Sequence, residues 1–291
     1  MFVFVTGSTG FIGSRVVDEL LAAGHEVLGL TRSDAGAAAL SAKGARVHRG
    51  SLEDLASLRS GAAQCDAVIH LAFDHDFSRF MANCEQDQRA IGALGEALAG
   101  SARPLLITSV VGVGSAGEGL LAVEDVMNRD HPNPRIASEL AGAAVAATGV
   151  DVRVVRLPQV HDRTRFGLIS FSIEIAREKG LSAYVGAGGN RYAAVHLSDA
   201  ARLYRLALER GEAGQHYHPV AEEGVPMKDI AEAIGRVLNV PAASLTAEQA
   251  QAHFGWMSMF IGLDLSASSR LTRERLDWHP TGPGLLADLA P

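Results

Sequence analysis

The chain has 291 residues, 47% hydrophobic and 20% charged, an ordinary composition for a soluble protein with a sizeable core. It carries 26 basic against 33 acidic residues, a formal net charge of -7, and no run of Lys or Arg, which argues against nucleic acid or an anionic membrane as partner. No uncharged apolar stretch reaches the roughly 18 residues that span a bilayer, and two cysteines, Cys65 and Cys84, are too few for a disulfide framework or a zinc ribbon.

Taken in chain order, short β-branched runs predict strands over 2–5, 27–30, 45–48, 67–71, 105–108 and 152–157. The apolar stripe Phe11, Ile12, Val16, Val17, Leu20, Leu21 predicts a helix that ends at Gly24. Further helices are predicted over 52–62, 85–99 and 134–148, and Pro134 is tolerated because a first-turn proline gives up no intrahelical bond. Such alternation predicts an α/β fold with a parallel sheet covered by helices. After about Pro158 the rhythm loosens. Helices are expected over 168–179, 198–209 (N-capped by Ser198), 227–238 and 246–254, with strands over 183–185, 193–196 and 215–219. The chain runs from Met1 straight into a Gly-rich turn, so no signal peptide and a cytoplasmic location are expected.

The strongest local signal is Thr6-Gly7-Ser8-Thr9-Gly10-Phe11-Ile12-Gly13, which follows a strand and opens an amphipathic helix. One glycine permits the tight turn, another lets backbone approach a pyrophosphate, and the last lets helix and strand pack closely. Free N–H groups and the helix dipole then favour phosphate at that N-terminus. The spacing resembles the short-chain dehydrogenase/reductase superfamily, in its extended, NAD-dependent epimerase/dehydratase-like branch. Val68-Ile69-His70-Leu71-Ala72, Thr108-Ser109, Arg156-Leu157-Pro158-Gln159-Val160, Val195-His196 to Asp199 and Leu276-Asp277-Trp278-His279-Pro280 match that branch in order. The resemblance spans nearly the whole chain. It implies a Rossmann-type doubly wound sheet over 1–160 and a smaller C-terminal substrate-binding lobe over 161–291, interleaved with the last strands. Cofactor contacts are implied at Gly7, Thr9, Gly10, Phe11, Ile12 and Gly13, at Ser51 and Leu52, at Leu71, Ala72 and Phe73, and at Pro158 and Val160. A homodimer through the fourth and fifth helices is also implied.

An NAD enzyme usually places an acid at the end of the second strand to bind the ribose hydroxyls. Here that strand ends Leu30-Thr31-Arg32-Ser33. A guanidinium accepts a 2′-phosphate bidentately and Ser33 adds a hydroxyl, so the expected cofactor is NADP.

The superfamily's Tyr-x-x-x-Lys pair is absent, since none of the four tyrosines has Lys four residues on and the chain has only Lys43, Lys179 and Lys228. By resemblance, the Tyr slot holds Arg135 and the Lys slot Glu139, the Ser slot falls on Val110 beside Ser109, and the Asn slot falls on Asp87. Four apart on a helix, Arg135 and Glu139 are expected to pair, with Asp87 able to balance Arg135. Guanidinium stays protonated, so Arg135 serves as an electrophile rather than a proton donor. The proton is left to His75, His196, Tyr192, a cleft carboxyl or water. His75, flanked by Asp74 and Asp76, is expected to have a raised pKa; the bland alternative is a surface loop histidine.

His216-Tyr217-His218 offers two imidazoles but no third ligand, so no metal site is expected. Gly112, Gly114, Gly117 and Gly119 suit a flexible lid. Phe254-Gly255-Trp256-Met257-Ser258-Met259-Phe260 lines either an apolar substrate pocket or the core of the lobe. Together these features point to an NADPH-dependent oxidoreductase reducing a carbonyl, C=N or C=C group of a small, fairly apolar substrate. The rivals are a non-catalytic NADP(H)-binding redox sensor and a nucleotide-sugar epimerase or dehydratase.

Overall fold

Along β1 (Phe2–Thr6) side chains alternate, Val3 and Val5 entering one apolar cluster and Phe4 another. Period-two geometry thus buries both faces of the strand, as a sheet covered on both sides requires. A computed structural model describes residues 1–290. After β1 come α1 (Phe11–Ala22), β2 (Glu26–Thr31), α2 (Asp34–Ala42), β3 (Arg46–Arg49), α3 (Leu55–Ala63), β4 (Ala67–His70), α4 (Phe80–Leu98), β5 (Leu105–Val110), α5 (Ile136–Ala146) and β6 (Val152–Leu157). The second half contains β7 (Gln159–His161), α6 (Ile169–Lys179), β8 (Ser182–Val185), β9 (Arg191–His196), α7 (Leu197–Arg210), β10 (His216–Tyr217) and β11 (Glu222–Pro226). It continues with α8 (Met227–Leu238), β12 (Ala242–Leu245), α9 (Ala247–Phe254), α10 (Ser258–Ile261), α11 (Arg270–Leu276) and α12 (Leu285–Leu289).

Seven strands form one parallel sheet in the order β10-β6-β5-β4-β1-β2-β3. The Rossmann-type doubly wound fold is present. Val16 and Leu20 of α1 pack with Leu203 and Tyr204 of α7 on one face, while Leu58, Ile91, Leu94 and Val145 of α3, α4 and α5 cover the other. Strand order reverses between β1 and β4, and a crevice at the carboxyl ends of the strands follows from that reversal. A third cluster, with Ile169, Tyr192, Ile230, Ile234 and Phe254, forms the core of the lobe around the small sheets β11-β9-β7 and β12-β8. Among the described residues no helix is long and apolar enough to cross a membrane.

Several elements differ from expectation. The 215–219 strand shrinks to His216–Tyr217, yet it pairs with β6 and completes the main sheet. Strands β7, β11 and β12 were not expected; at three to five residues, they are too short for alternation to mark. Helix α7 is capped by His196 rather than Ser198: the ring Nδ1 accepts from the Ser198 N–H at 3.2 Å. The glycine-rich segment after β5 is tied down at both ends, with exposed residues 118–121 between them. Residues Val111–Gly114 form a 3-10 turn, and Glu124 farther along accepts from the Thr272 N–H and hydroxyl at 2.8 and 2.9 Å.

Candidate cofactor and active site

At the end of β1 the chain turns on Gly7, whose φ of +65° is the left-handed region that favours glycine. A Cβ on Gly13 would lie 2.0 Å from the Gly7 carbonyl oxygen, so only glycine lets α1 start this close to the loop. The N-cap of α1 is Gly10, with no side-chain cap and no acid in the first turn. Its leading N–H groups are therefore left for an anion. Thr9 and Gly10 are exposed, and Phe11 and Ile12 half-buried. This loop fits a pyrophosphate.

Beyond β2, Arg32 is exposed and has no carboxylate within ion-pair distance among the described residues. Its neighbour Asp34 is instead engaged by Arg49. Ser33 caps α2, accepting from the Gly36 N–H at 3.1 Å, and its hydroxyl proton stays available. Half-buried Ser51 and Leu52 follow β3, and Leu71, Ala72 and Phe73 follow β4. Pro158 and Val160 are buried, Val160 inside the core cluster with Val195 and Ala200, which is packing rather than an open contact surface.

The floor of the crevice under α5 is organised by Asp87, 2% exposed. Its Oδ1 accepts from His70 Nε2 at 3.0 Å, and its Oδ2 from Arg135 at 3.0 Å and the Ser138 hydroxyl at 2.5 Å. With Nε2–H facing Asp87, His70 Nδ1 accepts from the Thr6 hydroxyl at 2.7 Å. Thr6 Oγ1 in turn accepts from the N–H groups of Leu71 and Ala72 at 3.2 Å each. A continuous relay thus links the strand bearing the Gly loop to α5. Burial pushes the Asp87 carboxyl up, but the Arg135 charge and the donors from His70 and Ser138 outweigh it and hold the pKa low. Arg135 also donates to the Thr108 carbonyl at 2.8 Å and lies 3.9 Å over the Phe73 ring.

Arg135 and Glu139 do not pair. Glu139 turns inward to Arg156 of β6, which donates to both its oxygens at 2.8 Å, and neither side chain is exposed. Burial raises the Glu139 pKa, yet the His216 and Arg156 donors bring it down to about 2. Arg156 also donates to the Val126 carbonyl at 2.7 Å, tying the loop after β5 to the sheet. His218 donates through Nδ1 to the Ser268 carbonyl at 2.9 Å, and burial and the Arg156 charge push its pKa down to about 3. Ser109, paired in register with Arg156, is 1% exposed. Its hydroxyl finds no hydrogen-bond partner, though it lies near enough to favour the Glu139 anion.

The remaining proton-donor candidates separate clearly. His75 keeps solvent exposure at the rim, but protein bulk and the Arg135 charge lower its pKa against the pull of Asp74, the reverse of the expected shift. Asp76 is occupied by the N–H and hydroxyl of Ser78. Tyr192 is 1% exposed, its hydroxyl donating to the Phe260 carbonyl at 2.8 Å, and burial raises its pKa. His196 is used in capping α7. Among the described residues no three His, Cys, Asp or Glu side chains form a metal-binding group, and His216 and His218 serve the Glu139–Arg156 pair instead. Burial pushes the thiols of Cys65 and Cys84 up to about 12 and about 11, which keeps them protonated near neutral pH. Sequence reasoning missed His70, Ser138 and Arg156. Only their positions on β4, α5 and β6 beside Asp87 and Glu139 reveal them.

Residues 3–128 match the NAD dependent epimerase/dehydratase family. An uncharacterized protein of Schizosaccharomyces pombe is 48% identical over 291 residues, covering 100% of this chain and 98% of that protein. The sterol-4-alpha-carboxylate 3-dehydrogenase, decarboxylating, of Dictyostelium discoideum is 26% identical over 242 residues, 77% of this chain and 72% of that protein. Among solved structures, a dTDP-glucose 4,6-dehydratase from Streptomyces venezuelae with NAD and TYD bound superposes with a TM-score of 0.77 at 21% identity, covering 99% of this chain and 96% of that one. With its Gly loop, sheet order and crevice in place, the chain belongs to the NAD-dependent epimerase/dehydratase family.

Proposed function

We propose that the protein is an NADPH-dependent oxidoreductase that reduces a carbonyl, C=N or C=C group of a small, fairly apolar substrate. The observation that carries this reading is the uncapped N-terminus of α1 together with Arg32, an exposed guanidinium with no carboxylate within ion-pair distance, though Glu53 lies near enough to feel its charge. Phosphate oxygens suit both: the first through backbone N–H groups, the second through a bidentate pair with a 2′-phosphate. When bound, the reduced nicotinamide supplies hydride. Likeness to a dehydrogenase of Dictyostelium discoideum supports the oxidoreductase class.

Arg135, 6% exposed, commits two contacts, to Asp87 and to the Thr108 carbonyl, and in this reading the N–H groups left over meet a substrate oxygen. There the guanidinium stabilises developing negative charge. Because it keeps its own proton, water at the rim delivers the proton, and His75, neutral near pH 7, is the lesser source.

The test is NADPH oxidation over a panel of aldehydes, ketones, imines and enones, with UDP-glucose and dTDP-glucose included. Arg135→Ala is expected to lower kcat/KM by about a hundredfold, while His75→Ala stays within about threefold. The proposed site is wrong if turnover survives both changes. A second reading, a non-catalytic redox sensor, is favoured by one observation: both replacement residues have their charges neutralised internally, Arg135 by Asp87 and Glu139 by Arg156. NADPH binding with no turnover of any compound would select it.

A further inference from the structure

From Arg135 a wall of rings runs outward across the mouth of the crevice. Phe73, under the guanidinium, sits 6.2 Å from Phe80, which lies 5.4 Å from Phe77. Phe77 stacks on Trp256 with centroids 4.6 Å apart and planes 19° from parallel. Phe171 and Phe260 meet this pair edge-on, Phe171 being 5.0 Å from Trp256 and Phe260 5.9 Å from Phe77. The stack therefore joins the loop after β4, which belongs to the sheet, to α6 and the 255–260 segment of the lobe.

Three features set this stack apart from ordinary core packing. Trp256 is 40% exposed despite lying flat on Phe77, and Met259 and Leu263 beside it in sequence are 59% and 43% exposed. Solvent-facing aromatic and Met side chains at a crevice mouth are a common setting for apolar ligands. Trp256 sits in a single 3-10 turn, Gly255–Met257, entered through Gly255 at φ +56°, so a short turn rather than a long regular helix carries the ring. The loop that carries Phe77 brings two carboxylates, Asp74 and Asp76, against one cation, Arg79, a poor setting for a diphosphate. At the crevice floor Arg135 is already balanced by Asp87.

We propose that Phe77 and Trp256 determine substrate specificity: their stack opens, and an uncharged, flat, apolar molecule sits between the two rings. A ring separation of about 7 Å, twice the van der Waals thickness of an aromatic ring, would admit such a molecule. That its reactive group faces Arg135 rests on the oxidoreductase reading; the ring sandwich itself does not.

The experiment titrates the full-length protein, without NADPH, with 4-phenyl-2-butanone, its cyclohexyl analogue and UDP-glucose. Binding is followed by calorimetry and by tryptophan emission. The other tryptophan, Trp278, is fully buried and supplies a constant background. The aryl ketone is expected to bind more tightly than the cyclohexyl ketone and to change Trp256 emission, while UDP-glucose gives no heat. Trp256→Ala and Phe77→Leu are expected to weaken aryl-ketone binding by about tenfold, and Trp256→Phe by less than about twofold. No binding of the aryl ketone to the unaltered protein, equal binding by all three variants, or an emission change caused by UDP-glucose alone would each overturn the proposal. A parallel titration with NADPH, read by nicotinamide emission, bears on the oxidoreductase reading separately. Its failure would remove that reading and leave the ring sandwich standing or falling on the ketone data.

Discussion

The N-terminus of α1 and the floor beneath α5 lie in the same crevice, and they treat polar groups in opposite ways. Around the Gly loop, N–H groups go uncapped and Arg32 has no carboxylate partner. Under α5 each principal charge has a counter-charge, Asp87 with Arg135 and Glu139 with Arg156, almost fully out of water. Unmet donors on a folded surface are a capacity for ligand, whereas mutually satisfied buried charges are architecture. The difference teaches that Arg135 and Glu139, which the resemblance sets in the Tyr and Lys slots, both belong to the closed region. Glu139 is held by Arg156, and Arg135, 6% exposed, is held by Asp87 and the Thr108 carbonyl, so the proposed substrate contact falls to the N–H groups Arg135 has left.

Breaking the closed region should give the largest effect. Glu139→Gln leaves the fully buried Arg156 charge without a counter-ion and is expected to cost about 3–5 kcal/mol of stability in urea unfolding. NADPH affinity of the folded fraction should be unchanged. Full stability combined with lost cofactor binding would erase the distinction between the regions.

Acid should sharpen the same contrast. The Glu139 pKa is lowered from 4.5 to about 2, so its stabilisation is complete above 4.5 and fades as pH falls toward 2. His218 is lowered from 6.5 to about 3; the native state prefers the neutral ring, so stability is lost as pH falls from 6.5 toward 3. Both groups act in one direction. Stability measured from pH 7 to 4 should decline by about 2–4 kcal/mol, and His218→Asn, which retains a donor for the Ser268 carbonyl, should flatten the decline. An unchanged slope in that variant would place the acid sensitivity elsewhere.

Arg32→Ala tests the open region and should have the smallest effect in free energy. NADPH affinity is expected to drop by about ten- to thirtyfold with NADH affinity unaltered, since only the former carries the 2′-phosphate. Equal losses for both would show that Arg32 holds something common to the two cofactors.

How much of this was visible in sequence follows the same division. Backbone-driven features were readable: Gly7 and Gly13 announce themselves because no other residue fits, and the β1 and α1 patterns arise from burial of regular faces. Side-chain pairing was not. The helical spacing of Arg135 and Glu139 suggested a local pair, but both chose partners distant in sequence, 48 residues away at Asp87 and 17 away at Arg156. His70 looked like one more residue of a buried strand. Its role depends on Thr6 and Asp87 flanking it, which no spacing along a single element encodes. The His75 shift went the wrong way because nearness in sequence to Asp74 and Asp76 counted for less than burial and Arg135.

The two-residue strand β10 has a consequence for how this chain is made. It closes the edge of β6, yet 58 residues separate the end of β6 at Leu157 from its start at His216. During synthesis from the N-terminus, the sheet therefore waits with one ladder unpaired while much of the lobe emerges. An unpaired edge is a template for association with other chains. At roughly 5–20 residues per second that exposure lasts several seconds. The same stretch carries α7, so one face of the sheet is covered only over the interval in which its edge is closed.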